Sequence, residues 1–254
     1  MSATDELIPV LKKLRLSGVL ETLTLRLRQT AEENLDPTEF LFRLLHDEVE
    51  RRETKQLQLR MGRAGFEHGR TLEDFDFTFN PLLPKARLID LATGCFVQRH
   101  ENILLVGPAG VGKSHLGQAL GHRAVRRGNT VLFTSAASLF AQLRAGRGDG
   151  SYDRRMLRFT GPDLLILDDL GLRPLRQDEP EDLFELIRAR YERGSMIITS
   201  NRATTEWPPL FGDPLMASAA MDRLLHHAHV LELEGESYRN PSRPRPAGAA
   251  AALG

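Results

Sequence analysis

The stretch "GPAGVGKS", Gly107 to Ser114, follows the apolar run "NILLV" at 102–106 and leads into "KSHLGQALGHRAVRRG", which reads as a helix. It matches G-x-x-x-x-G-K-[ST] in full, and a strand before with a helix after is the context in which that pattern builds a phosphate-binding loop. Gly107, Gly110 and Gly112 permit a tight path that aims backbone N–H groups at phosphate oxygens, with Pro108, Ala109 and Val111 completing the loop; the helix N-terminus adds partial positive charge. Lys113 is expected to neutralise the β and γ phosphates of ATP, and the Ser114 hydroxyl to ligate Mg²⁺. A chain committed to this strand–loop–helix unit is committed to an α/β domain.

The remaining strand candidates agree. They are "TVLFT" (130–134), "LLILD" (164–168), "MIITS" (196–200) and "VLELE" (230–234). Nearly continuous apolar runs suit parallel strands covered on both faces, and their alternation with helical segments makes an α/β sheet. "LLILDDLG" then sets Asp168 beside Asp169 after four large aliphatics. Adjacent carboxylates repel unless a cation, proton or donor lies between them. With the phosphate loop nearby, the run has the Walker B pattern: Asp168 is expected to hold Mg²⁺ and Asp169 to orient the water that attacks the γ-phosphate.

The first third reads as helices. Leu7, Val10, Leu11 and Leu14 recur at helical spacing, with Pro9 near the first turn and Gly18 placed to end the segment. Val19, Leu20, Leu23 and Leu27 line a second helix. A third starts where Asp36 can cap and Pro37 can take the first helical position, burying Leu41, Leu44, Leu45 and Val49. In its polar continuation Asp47 precedes Arg51, and Glu48 precedes Arg52, by four residues. The basic stretch with Lys55, Arg60 and Arg63 is either an exposed connector or a phosphate-contacting arm. The expected organisation is a small all-α domain over 1–70, a linker over 71–86 lying on the next domain, an α/β ATPase domain over 87–239, and a tail over 240–254 with too little to bury.

Composition narrows the partners. Lys plus Arg and Asp plus Glu both number 34, so overall charge gives no support for nucleic-acid binding and any such contact must be local. Cys95 is the single cysteine, which excludes intramolecular disulfides and multi-cysteine zinc sites. No apolar stretch approaches a membrane span and the N-terminus lacks a signal-peptide layout, so a cytoplasmic protein with no membrane partner is expected. His226 and His229 in "HHAH" lack a neighbouring ligand cluster and read as packing or capping residues. The same holds for Trp207, and the "RGD" at 147–149 carries no adhesion meaning in such a chain.

These residues resemble the AAA+ ATPases of the initiator and helicase-loader type, and most closely the IstB-like transposition helper proteins of insertion sequences. The resemblance runs from "LKKLRLSGVLETL" through "LEDFDF", "GPAGVGKSHLGQAL", "LLILDDLGLRPL" and "IITSNR" to "MDRLLHHAHVLELEGESYR". It implies a P-loop AAA+ core with a parallel five-stranded sheet; the chain is expected to depart from the AAA+ pattern in having no C-terminal lid domain, since no helical lid follows "LELEGESYR". It also implies that Asn201 reads the γ-phosphate as a sensor 1 residue, and that Arg223 is an arginine finger acting on a neighbouring copy in a homo-oligomer. Arg239 closes the resemblance without an evident role. Many AAA+ proteins have Glu where Asp169 stands; the shorter side chain suggests slow turnover.

The segment "LRAGRGDGSYDRRMLRFTG", broken by glycines, is similar in position to the insertion with which initiator-type AAA+ proteins grip DNA. Arg144, Arg147, Arg154, Arg155 and Arg158 are its candidate DNA contacts, largely independent of sequence, with Tyr152 as a ring able to stack. The implied activity is an Mg²⁺-dependent ATPase that assembles on DNA and helps a partner transposase choose its target. The alternatives are a DnaC-like loader of a replicative helicase, and a non-hydrolysing scaffold that nucleotide only stabilises.

Overall fold

The computed structural model describes residues 3–239, which form two compact units, one up to Leu59 and one from Arg60 onward. The expected tail at 240–254 lies outside the described residues.

The first unit is built from helices α1 (Ala3–Lys13), α2 (Ser17–Glu33) and α3 (Pro37–Ala64), the last of which continues into the second unit. Pro9 lies inside α1. Its stop is set by Arg15, not Gly18: Arg15 is left-handed at φ 57, its N–H donates to Lys12 O, and Leu16 N–H donates back to Leu11 O. This is the paired C-terminal closure usually given to glycine. Gly18 instead opens α2, where a Cβ would stand 2.9 Å from the Glu48 Cα of α3. The close approach lets the buried Glu48 carboxylate accept from the Gly18 and Val19 amides, capping a helix whose own N-cap, Leu16, has no side-chain acceptor. Burial pushes the Glu48 carboxyl up, but Arg52 at 2.6 Å and the two amides outweigh it and hold it below the usual range.

Asp36 does cap α3, accepting from Thr38 N–H at 2.7 Å, with Pro37 as first helical residue. Of the apolar residues expected to be buried, Val19, Leu23, Leu44 and Leu11 make the core, whereas Leu7, Val10, Leu14, Leu27, Leu41, Leu45 and Val49 are exposed. A three-helix unit has too little interior for every apolar position. Asp47 pairs across helices with Arg26 at 2.6 Å in place of its i+4 neighbour Arg51, which bonds Ser17.

The second unit begins with the end of α3 and an irregular segment, then α4 (Lys85–Leu91) and α5 (Cys95–Gln98). There follow β1 (Asn102–Val106), α6 (Lys113–Arg126), β2 (Val131–Ser135), α7 (Ala136–Asp149), α8 (Tyr152–Thr160), β3 (Leu164–Asp168), α9 (Glu179–Arg190), β4 (Ser195–Ser200), α10 (Pro214–Leu225) and β5 (Ala228–Glu232). The sheet is five-stranded, in the order β2-β3-β4-β1-β5, and every pairing is parallel. β1, β3 and β4 are buried along their whole length, as central strands covered on both faces must be. β2 and β4 begin within one residue of their expected starts.

β5 starts two residues early, because Ala228 pairs with Asn102 and His229 bonds Glu101 at 2.9 Å. Trp207 is fully buried, its indole N–H donating to Arg202 O. No described helix is long and apolar enough to cross a membrane. α7 runs through Gly146 and Gly148, and the glycine break expected in this segment falls at Gly150, left-handed at φ 70, which ends α7 before α8; α8 packs so close that a Cβ on Gly146 would lie 3.0 Å from the Tyr152 Cα.

Arg190 is 1% exposed and ties the α8–β3 connection to β4 by donating to the carbonyls of Phe159, Thr160, Pro162, Asp163 and Ser195. Burial lowers its pKa to about 10. Arg190→Ala strands these acceptors and is expected to cost about 3 kcal/mol or more, lowering the melting temperature by roughly 6–12 °C; a calorimetric melt checks it. In the first unit, the hydrogen bond from Arg26 holds the Asp47 carboxyl down at about 2, below its ordinary 3.8. A depressed folded value means the contribution is complete above pH 4 and is lost as pH falls from 4 towards 2. Asp47→Asn should remove that part of the acid-induced loss of helicity, read by circular dichroism.

Candidate nucleotide-binding site

The sheet order decides what meets at its carboxyl edge. β4 lies between β1, which leads into the loop at 107–112, and β3, which ends in the acid pair. Ligands of open parallel sheets bind at this edge. The loop is left-handed at Gly107, Gly110 and Gly112, with φ of 143, 84 and 98. Gly107 is also pressed by the chain leaving β5: a Cβ there would stand 2.1 Å from Leu233 O.

Lys113, at the N-terminus of α6, is buried, and its ammonium donates to Gly107 O at 2.8 Å, Pro108 O at 2.7 Å and Asn201 Oδ1 at 2.7 Å. Burial lowers its pKa against the pull of Asp169 and Asp168, and Arg239 lowers it further. Asn201 follows the last residue of β4, which places its amide beside the loop. Across the neighbouring strand pair, the Thr199 hydroxyl donates to Asp168 Oδ1 at 2.6 Å, and Ser114 hydrogen-bonds the same carboxylate. Burial pushes the Asp168 carboxyl up; the bonds from Thr199 and Ser114 oppose this, while Asp169 and Glu67 add to it. Asp169 is left-handed at φ 57, its N–H donating to Thr199 Oγ1 at 2.9 Å.

Lys113, Ser114, Asp168, Asp169 and Asn201 therefore converge. The hydroxyl of Ser114 and the carboxylate of Asp168 are hard oxygen donors in contact, the kind of sparse protein set that Mg²⁺ takes when phosphate oxygens and water complete its shell. Among the described residues no trio of His, Cys, Asp or Glu is arranged to hold a metal by itself, and His226 and His229 are occupied by Tyr191 and Glu101.

Arg223 stands apart from this convergence. It donates to Ala219 O at 2.7 Å, lies 5.9 Å from the Phe184 ring centroid, and borders a cavity with Asn102 and Met196 at the amino ends of β1 and β4. A five-residue strand is about 16 Å long, so Arg223 is at the wrong end of the sheet to serve its own loop.

The five arginines expected to contact DNA divide. Arg144 pairs with buried Glu179 at 2.5 Å and Arg147 with buried Asp182 at 2.7 Å. Arg155 pairs with Asp149 at 2.7 Å and also donates to Gln142 O. Arg158 bonds only the neutral Gln142 side chain, and Arg154 is exposed with no ion pair among the described residues. Tyr152 is not a free stacking platform: its hydroxyl donates to Asp182 at 2.7 Å and Arg147 covers its ring at 4.5 Å.

The segment after β5 holds residues that sequence reasoning left without a role. Tyr238 N–H donates to Gly110 O at 2.9 Å, its hydroxyl donates to Asp76 O, and its ring packs on Phe75 and Phe79. The turn brings the Arg239 guanidinium close enough to act on Lys113. Motif spacing cannot reveal a contact between residues so far apart in the chain; the aromatics of "LEDFDF" and "ESYR" were the signal available.

The family model described as IstB-like ATP binding protein matches residues 9–245. An insertion-sequence ATP-binding protein of Mycobacterium tuberculosis is 44% identical over 235 residues, covering 92% of this chain and 94% of that one. An IS21 ATP-binding protein of Pseudomonas aeruginosa is 39% identical over 239 residues, covering 94% and 89%. Among solved structures, a DnaC helicase loader is similar with TM-score 0.54 at 19% identity, covering 66% of this chain and 98% of that one. AMPPCP-bound DnaA from Aquifex aeolicus gives 0.54 at 23%, covering 67% and 51%. At these identities the structural likeness shows the fold alone.

The pressed glycine makes a direct test of the loop. Gly107→Ala must displace either the loop or the chain at Leu233, at an expected cost of about 2 kcal/mol or more. A thermal melt matching that of the unaltered protein would contradict the close packing.

Proposed function

The chain belongs to the IstB-like ATP-binding family, and from that membership we propose that it is an Mg²⁺-dependent ATPase that assembles on DNA and assists a partner transposase in target selection. The observation that carries the ATPase part is the meeting of Lys113, Asn201, Ser114, Asp168 and Asp169 at one edge of the sheet. ATP would place its phosphates against the N–H groups of 107–114, where the helix terminus favours negative charge. The Lys113 ammonium would exchange its loop carbonyl acceptors for β and γ oxygens, keeping Asn201 beside the γ-phosphate. Ser114 and Asp168 would hold Mg²⁺, which supplies charge neutralisation at the phosphates. Asp169 would accept a hydrogen bond from the attacking water and hold it in line, while Arg239 adds a cation on the same side.

Arg223 cannot complete its own site from the amino edge of the sheet, so its role belongs to a neighbouring copy: a guanidinium stays charged throughout and would neutralise the transferred phosphoryl group there. Homo-oligomerisation is then part of the reaction. DNA contact falls on Arg154 and Arg158, which have no carboxylate partner among the described residues, rather than on all five arginines. The insertion-sequence relatives support a transposase over a replicative helicase as partner.

DNA-stimulated ATPase rates test this. Lys113→Ala, Asp169→Asn and Arg223→Ala are each expected to fall by about 100-fold or more. Mixing Arg223→Ala with Asp169→Asn should restore part of the activity, because some interfaces then combine an intact Asp169 with an intact Arg223. Equal rates in all variants would defeat the assignment, and failure to complement would defeat the action of Arg223 between copies.

A further inference from the structure

Thr199 stands where the strand ends carrying the site meet. β3 and β4 run parallel with Leu167 beside Ile198, so Asp168 and Thr199 are the next residues along each strand. Thr199 is fully buried. Its hydroxyl donates to Asp168 Oδ1 at 2.6 Å and accepts from Asp169 N–H at 2.9 Å. A hydroxyl has one proton; with that proton committed to the carboxylate, only a lone pair remains to face the amide, so the direction of both bonds is set. The branched Cβ of threonine leaves χ1 little freedom in a strand.

The same residue governs the turn that follows. Asp169 adopts φ 57, a region that costs a non-glycine residue energy unless its surroundings impose it. Three bonds impose it: Asp169 N–H to Thr199 Oγ1, Leu170 N–H to Thr199 O at 2.9 Å, and Ser200 Oγ–H to Leu170 O at 2.7 Å. Two of the three end on Thr199. One side chain thus anchors the carboxylate of Asp168, which Ser114 also bonds, and one residue shapes the turn from which Asp169 projects.

We propose that Thr199 is the positioning residue of the acid pair, holding Asp168 towards Ser114 and fixing the backbone turn that aims Asp169 at the attacking water. This rests on the nucleotide-site reading above and adds to it a residue that touches neither nucleotide nor water. The shorter acid at 169 makes the role sharper, since a side chain with less reach depends more on where its backbone is held.

The test uses the full chain with Thr199→Val, which keeps the shape and removes the hydroxyl, and Thr199→Ser, which keeps the hydroxyl. Readouts are kcat and KM for ATP, affinity for a fluorescent adenine nucleotide with EDTA and with Mg²⁺, and melting temperature. Thr199→Val should lose about 10- to 100-fold in kcat. Its KM should stay within about 3-fold, its metal-free nucleotide affinity should match the unaltered protein, and the gain in affinity on adding Mg²⁺ should shrink. Thr199→Ser should remain within about 3-fold in every readout, and it carries the test if the valine variant melts. Normal kcat and normal Mg²⁺ gain in Thr199→Val would overturn the proposal, as would a folded Thr199→Ser that loses as much as Thr199→Val. Loss of metal-free nucleotide affinity in step with kcat would reduce Thr199 to fold support and also overturn it. Lys113→Ala separates the two levels: if it binds nucleotide normally, the phosphate-site reading itself fails, whereas if it alone loses binding, only the role of Thr199 is in question.

Discussion

A parallel strand buried on both faces can present polar groups to a ligand only at its ends, and the placement of β4 between β1 and β3 depends on that constraint. The order brings the ends of three strands to one edge, so that the ammonium of Lys113 bridges the phosphate loop and Asn201 while the hydroxyl of Thr199 bridges β4 and the acid pair. The stability of the central strands and the geometry of the site are therefore one property: the register that buries Ile166, Ile197 and Leu104 is the register that sets Asp168 beside Thr199.

Charge is used in two ways in the second unit. Arg144, Arg147 and Arg173 close around the buried carboxylates of Glu179 and Asp182, and Arg190 is spent on carbonyls. Each buried carboxylate is held by more than one donor, Glu179 by Arg144, Arg173 and the Arg176 amide and Asp182 by Arg147 and the Tyr152 hydroxyl, so these cations belong to the scaffold. Arg154, Arg158, Arg223 and Arg239 have no carboxylate partner among the described residues and remain available to phosphate. A count of arginines in a segment cannot make this distinction; the position of the acids on α9 does.

The phosphate loop, the acid pair, the parallel sheet and the cap at Asp36 were legible because each is a local pattern whose physics lies within a few residues: glycines where φ must be positive, aliphatics where both faces are covered, a side-chain oxygen ahead of free amides. Gly18 and Arg15 show where that logic stops. Glycine is the usual helix terminator, yet here Arg15 takes the left-handed turn, while Gly18, three residues later, permits the approach of Glu48. The start of β5 moved for a similar reason, since its limits follow pairing with β1 and not its own apolar run. The engagement of the Tyr152 hydroxyl is invisible in the sequence because its partner, Asp182, is remote along the chain.

By itself the sequence determined the chemistry that any fold of this chain must accommodate: a loop whose glycines and lysine suit phosphate, two adjacent acids that need a cation, a proton or a hydrogen-bond donor, and strands too apolar to face water. Which residues serve that chemistry was decided by tertiary structure. It set Arg223 at the opposite end of the sheet from its own loop, paired three of the five arginines with carboxylates, and brought Thr199, Tyr238 and Arg239 to the site. The physical reason is that hydrogen bonds and charges act over a few ångströms of space regardless of separation along the chain, and only the packed sheet fixes which distant residues fall within that reach.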